Sequence, residues 1–232
     1  MCTVAAFTAT MCCVAACGGG AKGAASKANL VHPIPGHALS GMEGKDLVLL
    51  PIAYIRPGDK LGWVTAMKSP RDYLRESDSL MEESLKGHAY KVKWVFPEQL
   101  RRSAARSAGM IQGPDEISEQ QLLPYFWKPS HPLYDPLAGQ LRNIIAAQNA
   151  RYVLAPVEIR FVSPLDASGE APPPPGAPPL PPVQLAVLRL ALLDAEGTFV
   201  LWAGDVTSDT ARTADAATAS LVTRLGDLLG QP

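Results

Sequence analysis

The sequence has little cysteine and no long apolar run. Its four cysteines lie at positions 2, 12, 13 and 17 of the 232 residues, which excludes a disulfide or a cysteine-based metal site in the rest of the chain. No apolar run approaches the roughly 20 residues that a membrane-spanning helix needs. The formal net charge is −1 and the basic residues are spread along the chain, which gives no electrostatic case for nucleic acid as a partner.

The sequence also lacks the common catalytic motifs, namely HExxH, GxSxG and the phosphate-binding loop. His32 and His37 have no carboxylate or cysteine at ligand spacing, so we interpret them as loop residues. The carboxylate pairs Asp115-Glu116 and Glu82-Glu83 are sequence neighbours, and such neighbours do not face each other on a helix. We therefore predict that the protein is not an enzyme and has no catalytic residue, metal site or cofactor.

The N-terminus predicts a lipid anchor. An uncharged and mostly apolar run leads to Val14-Ala15-Ala16-Cys17-Gly18, which resembles the lipobox of bacterial lipoproteins. The resemblance implies that residues 1–16 are a signal peptide and that Cys17 is acylated, for example with palmitate. It also implies a place in the bacterial cell envelope, on the outer membrane facing the periplasm. Residues 17–45 would then be the lipidated cysteine and a flexible tether rich in Gly, Ala and Ser.

An alternative interpretation is a cytosolic protein with an apolar leader and chance cysteines. Signal peptides normally begin with Lys or Arg, whereas the first positive charge of this chain is Lys22, which follows Cys17. A start codon placed too far downstream would explain this departure.

The pattern of residues 46–230 predicts a single α/β domain. Strands alternating with helices require a sheet with helices packed on it, and a hairpin near the end makes that sheet mixed. We expect about five strands flanked by helices, with a C-terminal β-hairpin and a closing helix. In chain order the predicted elements are strand Asp46–Ala53, helix Arg71–Lys86, strand Tyr90–Phe96, helix Pro97–Ser107, short helix Ser118–Leu123, helix Pro136–Gln148, strand Tyr152–Val162, hairpin strands Val183–Asp194 and Phe199–Ser208, and helix Ala214–Leu229.

Residues 166–182 interrupt this pattern with a proline-rich loop insert. Eight of the 22 prolines lie between Pro172 and Pro182, and such a run favours a polyproline-like excursion outside the core. We interpret it as a stiff connection between two strands. The alternative is a docking peptide for a proline-binding partner.

Three stretches of the chain stand out, namely Leu47–Pro51, Ala147–Leu154 and Arg189–Gly204 followed by the final helix. Together they resemble a known periplasmic family, which includes the curli-secretion lipoprotein, the lipoprotein activator of penicillin-binding proteins and the N-terminal domain of the Tol-system protein TolB. The resemblance favours an envelope lipoprotein that binds or regulates another, unidentified envelope protein without catalysis. The alternative function is an auxiliary lipoprotein subunit of an envelope transport or secretion system, with an oligomeric state that the sequence does not give.

The candidate partner-binding residues are Tyr125, Phe126 and Trp127, in the irregular segment Gly109–Asp135. Three adjacent aromatic side chains are costly to expose, so they either pack on the core or bind a partner. Interface anchors are enriched in Tyr and Trp, so the sequence leaves both interpretations open.

Three further side-chain placements follow from helix and strand periodicity. Arg101, Arg102 and Arg106 form a small basic helix face that is either solvated or in contact with anionic lipid headgroups. Asp78 belongs to the polar side of its helix. Trp202 is expected in the core, on the same strand face as Val200 and Val206.

Overall fold

The computed structural model describes residues 38–107, 112–117, 119–123, 125, 127–168 and 182–230. The predicted signal peptide, Cys17 and most of the predicted tether lie outside these residues, as do Phe126 and most of the proline-rich insert. The described helices are α1 (Trp63–Ala66), α2 (Pro70–His88), α3 (Pro97–Arg106), α4 (Glu119–Leu122), α5 (Leu137–Gln148), α6 (Pro164–Ser168) and α7 (Ala214–Gly230). The described strands are β1 (Asp46–Leu49), β2 (Tyr54–Ile55), β3 (Lys93–Val95), β4 (Tyr152–Val162), β5 (Leu185–Asp194) and β6 (Phe199–Thr207).

The strands form one mixed sheet in the order β3-β1-β4-β5-β6. Strands β3, β1 and β4 are parallel, and β5 and β6 follow antiparallel. The fold class predicted from the sequence is confirmed, including the hairpin and the closing helix. None of the described helices combines the length and the apolar character that crossing a bilayer requires.

The sheet has six strands where the sequence predicted about five, because the predicted strand Asp46–Ala53 ends at Leu49 and a further short strand, β2, follows it. Pro51 has no N–H to donate to a ladder, and the chain leaves the sheet after Leu49 and returns as β2. Both pieces pair with β4. The backbone N–H groups of Leu50 and Ala53 still reach β4 carbonyl oxygens, at 3.0 and 3.2 Å.

Each face of the sheet has its own apolar core. Leu47 and Leu49 of β1 join the first core, whereas Val48 and Leu50 join the second, which explains why this part of the sequence is continuously apolar. Helices α2 and α7 supply buried residues of the first core, and α5 those of the second.

Helices α2 and α7 pack side by side over the first core. Two hydrogen bonds join these helices. One lies in the first half of α2, between the hydroxyls of Tyr73 and Thr218 at 2.6 Å, and the other in its second half, from Ser84 Oγ to the Val222 carbonyl at 3.0 Å. Ser69 caps α2 by accepting the Asp72 N–H, the usual role of serine before a helix.

Two predicted strand features differ in the structure. The predicted strand Tyr90–Phe96 shrinks to β3, because the Val92 N–H closes a turn to the Ala89 carbonyl and Tyr90 is left 74% exposed. In β6 the pairing register shifts by one residue near Leu201. Such a bulge reverses the faces of the residues on either side of it. Trp202 and Val206 therefore pack on the first core, whereas Val200 belongs to the second, and the prediction that all three share a face is wrong.

Candidate functional site

A cleft of about 670 Å³ lies beyond the carboxyl end of β1. The chain segment after β1 forms its floor and α2 forms one wall. The other wall is formed by Arg101 of α3 together with Pro114, Asp115, Ile117, Glu119 and Leu122. The strand order changes direction at β1, because β3 lies on one side of it and β4 on the other. In open α/β sheets, ligands bind in crevices of this kind. We refer to this feature as the α2 cleft.

A buried carboxylate ties the floor of the α2 cleft to its wall. Asp78 is only 4% exposed, and it accepts the backbone N–H of Ile52 at 2.8 Å and a guanidinium N–H of Arg101 at 3.1 Å. Burial raises the pKa of Asp78 to about 6, although both hydrogen bonds lower it. The prediction that Asp78 lies on the polar side of its helix is wrong. The signal for burial was present in the sequence, since Leu74, Asp78, Met81 and Leu85 follow one another at helical spacing.

Arg101 links the two walls. It donates two hydrogen bonds of 2.9 Å to the two carboxylate oxygens of Asp115, in addition to the one to Asp78. Hydrogen bonding to Asp115 raises the pKa of Arg101, and the same guanidinium lowers the pKa of Asp115 below its usual value. The prediction that Arg101, Arg102 and Arg106 together form a basic helix face is therefore wrong for Arg101, because its side chain is mostly buried in this network.

The predicted partner-binding residues lie next to the α2 cleft. Trp127 Nε1 donates to the Leu122 carbonyl at 3.2 Å, and Leu122 lines the cleft. Tyr125 and Trp127 are half-buried and pack against the second core. Phe126 lies outside the described residues, as does the predicted lipidation site, Cys17.

Four rings form what we call the aromatic cluster, which consists of Tyr125, Trp127, His131 and Tyr134. The ring centroids of Tyr125 and Trp127 are 4.8 Å apart. His131 meets Tyr125 and Tyr134 edge to face at 5.7 and 6.0 Å. Tyr134 is 59% exposed, and no sequence signal had singled it out. The cluster thus has a packed side and a solvent side.

Backbone hydrogen bonds to the sheet edge hold the aromatic cluster in place. The N–H of Ser130 donates to the Val200 carbonyl at 2.8 Å, and Val200 donates back to the His131 carbonyl at 2.9 Å. The Tyr125 hydroxyl donates to the Pro132 carbonyl and accepts the N–H of Tyr134. The segment is irregular, but it is fastened to β6 and to itself.

The described residues contain no group of three or more His, Cys, Asp or Glu side chains that is placed to hold a metal ion. The α2 cleft instead offers guanidinium groups, carboxylates and an apolar floor. These groups can contact a ligand by ion pairing, by hydrogen bonding and by apolar packing.

No protein-family model matches the sequence, and neither does any curated protein. The chain is similar to several solved structures. The PelC dodecamer from Paraburkholderia phytofirmans is 15% identical, over 82% of this chain and 91% of that chain, with a TM-score of 0.36. The LpoB C-terminal domain from Salmonella enterica is 12% identical, over 72% and 83%, with a TM-score of 0.36.

The lipoprotein GNA1162 from Neisseria meningitidis is 11% identical to the chain, over 70% of this chain and 78% of that chain, with a TM-score of 0.31. These identities and TM-scores are low. The assignment of a partner or an activity to this chain therefore has to come from its own residues.

Proposed function

We propose that this chain is a lipid-anchored protein of the bacterial cell envelope that binds or regulates another envelope protein and carries out no catalysis. The observation that carries the binding half of the proposal is the aromatic cluster, fastened to the edge of the sheet with Tyr134 exposed. The anchoring half is supported by the sequence around Cys17.

The aromatic cluster suits binding because two of its side chains are already held in one conformation in the unbound chain. Tyr125 is held by two hydrogen bonds and Trp127 by one, so little side-chain freedom remains to be lost when a partner docks. Rigid aromatic side chains on a loop beside a regular scaffold are common anchors of protein interfaces.

The anchoring half is tested by cell fractionation. The Cys17→Ser variant should leave the membrane fraction, because each buried CH₂ of an acyl chain contributes roughly 0.8 kcal/mol and stable anchoring needs more than one chain. The matched control is Cys13→Ser, which removes a neighbouring thiol and should stay with the membrane. Cys17→Ser protein that keeps its distribution and its mass would refute the anchor.

The binding half is tested by crosslinking in envelope preparations. Tyr134→Ser should lose a crosslinked partner that the natural chain shows, because the exposed ring is removed while the backbone N–H bonded to Tyr125 remains. The matched control is Tyr90→Ser, another exposed tyrosine, which lies in the turn before β3. If every partner crosslinks equally to both variants, the aromatic cluster is not the binding surface.

A further inference from the structure

Two arginines on the wall of the α2 cleft form no ion pair with any described residue, although both are close enough to Asp115 to lower its pKa. Arg71 and Arg75 lie one turn apart on α2, are exposed, and line the cleft. Within the part of the chain that the structure describes, neither guanidinium takes part in an ion pair or a hydrogen bond. The nearby Arg101 differs from them, because its guanidinium forms ion pairs with Asp78 and Asp115.

The rest of the α2 cleft is apolar at the floor and acidic on the opposite wall. Pro51 and Leu74 line it below and beside the two arginines, and Ile117 and Leu122 line the far wall. Asp115 and Glu119 also belong to that far wall. Because Arg101 of that wall is already paired with Asp115, an acidic ligand group is attracted more strongly towards Arg71 and Arg75 on α2 than towards the opposite wall.

The spacing of the two arginines matches an extended peptide. Four residues of helix rise by about 6 Å, and alternate residues of an extended chain lie about 6.7 Å apart on the same side. Two carboxylates at alternate positions can each take one guanidinium, whose planar fork fits a carboxylate. The residue between them points the other way, towards Ile117 and Leu122.

We infer that the α2 cleft binds an extended segment of a partner protein with the pattern acidic–apolar–acidic. Its two carboxylates pair with Arg71 and Arg75, and its central apolar side chain enters the apolar part of the far wall. The occupant is a protein segment because the proposed function gives this chain a protein partner, and because two exposed guanidinium groups beside apolar lining residues complement a chain that alternates acidic and apolar side chains. This inference rests on the proposed function and specifies the partner chemistry.

The test uses a fluorescein-labelled peptide with a central Glu-Leu-Glu flanked by Gly and Ser, and the purified full chain in a mild detergent. Fluorescence anisotropy should show this peptide binding roughly tenfold more tightly than matched Gln-Leu-Gln and Glu-Ser-Glu peptides, because two ion pairs or one apolar contact are then missing. Equal binding of the three peptides, or no binding of any, would overturn the inference.

Variants of the chain locate the binding. Arg71→Gln/Arg75→Gln should weaken the Glu-Leu-Glu peptide roughly tenfold and leave the melting temperature unchanged, because both side chains are exposed. The matched control is Lys68→Gln/Arg212→Gln, which removes two exposed charges outside the α2 cleft and should bind like the natural chain. An equal loss in both variants would show unspecific attraction and refute the site.

Failure of this inference is distinguishable from failure of the proposed function. If the Glu-Leu-Glu peptide does not bind while Tyr134→Ser still abolishes an envelope crosslink, the proposed function stands and the α2 cleft is not a peptide site. If the peptide binds as expected and no crosslink depends on Tyr134, the cleft stands and the aromatic cluster is not the partner surface.

Discussion

The two faces of the sheet are built in different ways. On the first face, α2 and α7 lie side by side and are joined by hydrogen bonds over a core that includes Leu188, Leu190 and Leu225. On the second face, α5 covers part of the sheet, and the short α4 and the irregular segment around Leu133 contribute the rest of the core. The aromatic cluster lies on this second side, and one wall of the α2 cleft is formed by the same irregular segment.

The second face also carries charge where the first is apolar. Beyond the bulge in β4, Ile159 and Phe161 point into the first core, so the residues that alternate with them face the other way. Glu158, only 1% exposed, accepts hydrogen bonds from Arg56 and lies between Arg160 and Arg189, which both pair with Asp205. The first face is therefore covered by two joined helices, whereas the second is covered by one helix and irregular chain and carries a buried ion-pair network.

The largest expected effect compares one buried leucine on each side. Leu225 of α7 and Leu141 of α5 are both fully buried. Leu→Ala changes at such sites cost about 2–5 kcal/mol, and the cost depends on how far the surroundings can close the cavity. We expect Leu225→Ala to fall near the upper end, because two joined helices and the sheet enclose it. Leu141→Ala should fall near the lower end, because part of its surroundings is irregular.

Urea denaturation of the two leucine variants measures this difference, and the natural chain supplies the reference slope and midpoint. An equal loss for both variants would show that the irregular segment is as rigid as the helix pair. A larger loss for Leu141→Ala would reverse the comparison of the two faces.

The next effect concerns pH and the buried carboxylate of the α2 cleft. The pKa of Asp78 is raised by burial from the ordinary 3.8 to about 6, so between these values the folded chain holds a proton that the unfolded chain releases. This contribution to stability is complete below pH 4 and is lost as the pH rises through 6, a total of about 3 kcal/mol. The Asp78→Asn variant lacks this pH-dependent contribution at every pH, because the amide does not titrate.

Denaturation of the natural chain and of Asp78→Asn at pH 4 and pH 7 tests this expectation. The stability of the natural chain relative to the variant should decrease from pH 4 to pH 7. Carbon NMR of the Asp78 carboxyl should give a titration midpoint near 6 as an independent measurement. A constant difference between the two chains, with a midpoint near 4, would contradict the raised pKa.

Most of the fold was predictable because its signals are local. The bounds of β4 match the predicted strand Tyr152–Val162. Helices α2, α3 and α5 begin and end within two residues of their predicted limits. Apolar periodicity depends only on the residues of one element. The bulge near Leu201 was missed because it arises from pairing with β5, which no periodicity within β6 expresses.

The candidate site was predictable only in part, because its members come from distant stretches of chain. Tyr125 and Trp127 were found by composition, whereas Tyr134 gave no signal until its ring was seen beside His131. Arg101 and Asp78 are 23 residues apart, and their pairing requires α2 and α3 to be placed on the sheet first. Helical spacing contained a signal for the burial of Asp78 that the prediction missed, and it carries no information about the partner of that carboxylate.

The smallest expected effect concerns the proline-rich insert, which joins the sheet beyond β4 to the start of β5. Replacing Pro172–Pro182 with a Gly/Ser loop of equal length should change the free energy of unfolding by less than about 1 kcal/mol. A loop that makes no contact with the domain affects stability mainly through its closure entropy, and even doubling the length of a loop costs only about 0.6 kcal/mol. The matched control keeps the composition and scrambles the order of the same residues. Thermal and urea unfolding of the three chains should then agree. A loss of several kcal/mol in the Gly/Ser chain alone would show that the prolines pack on the domain.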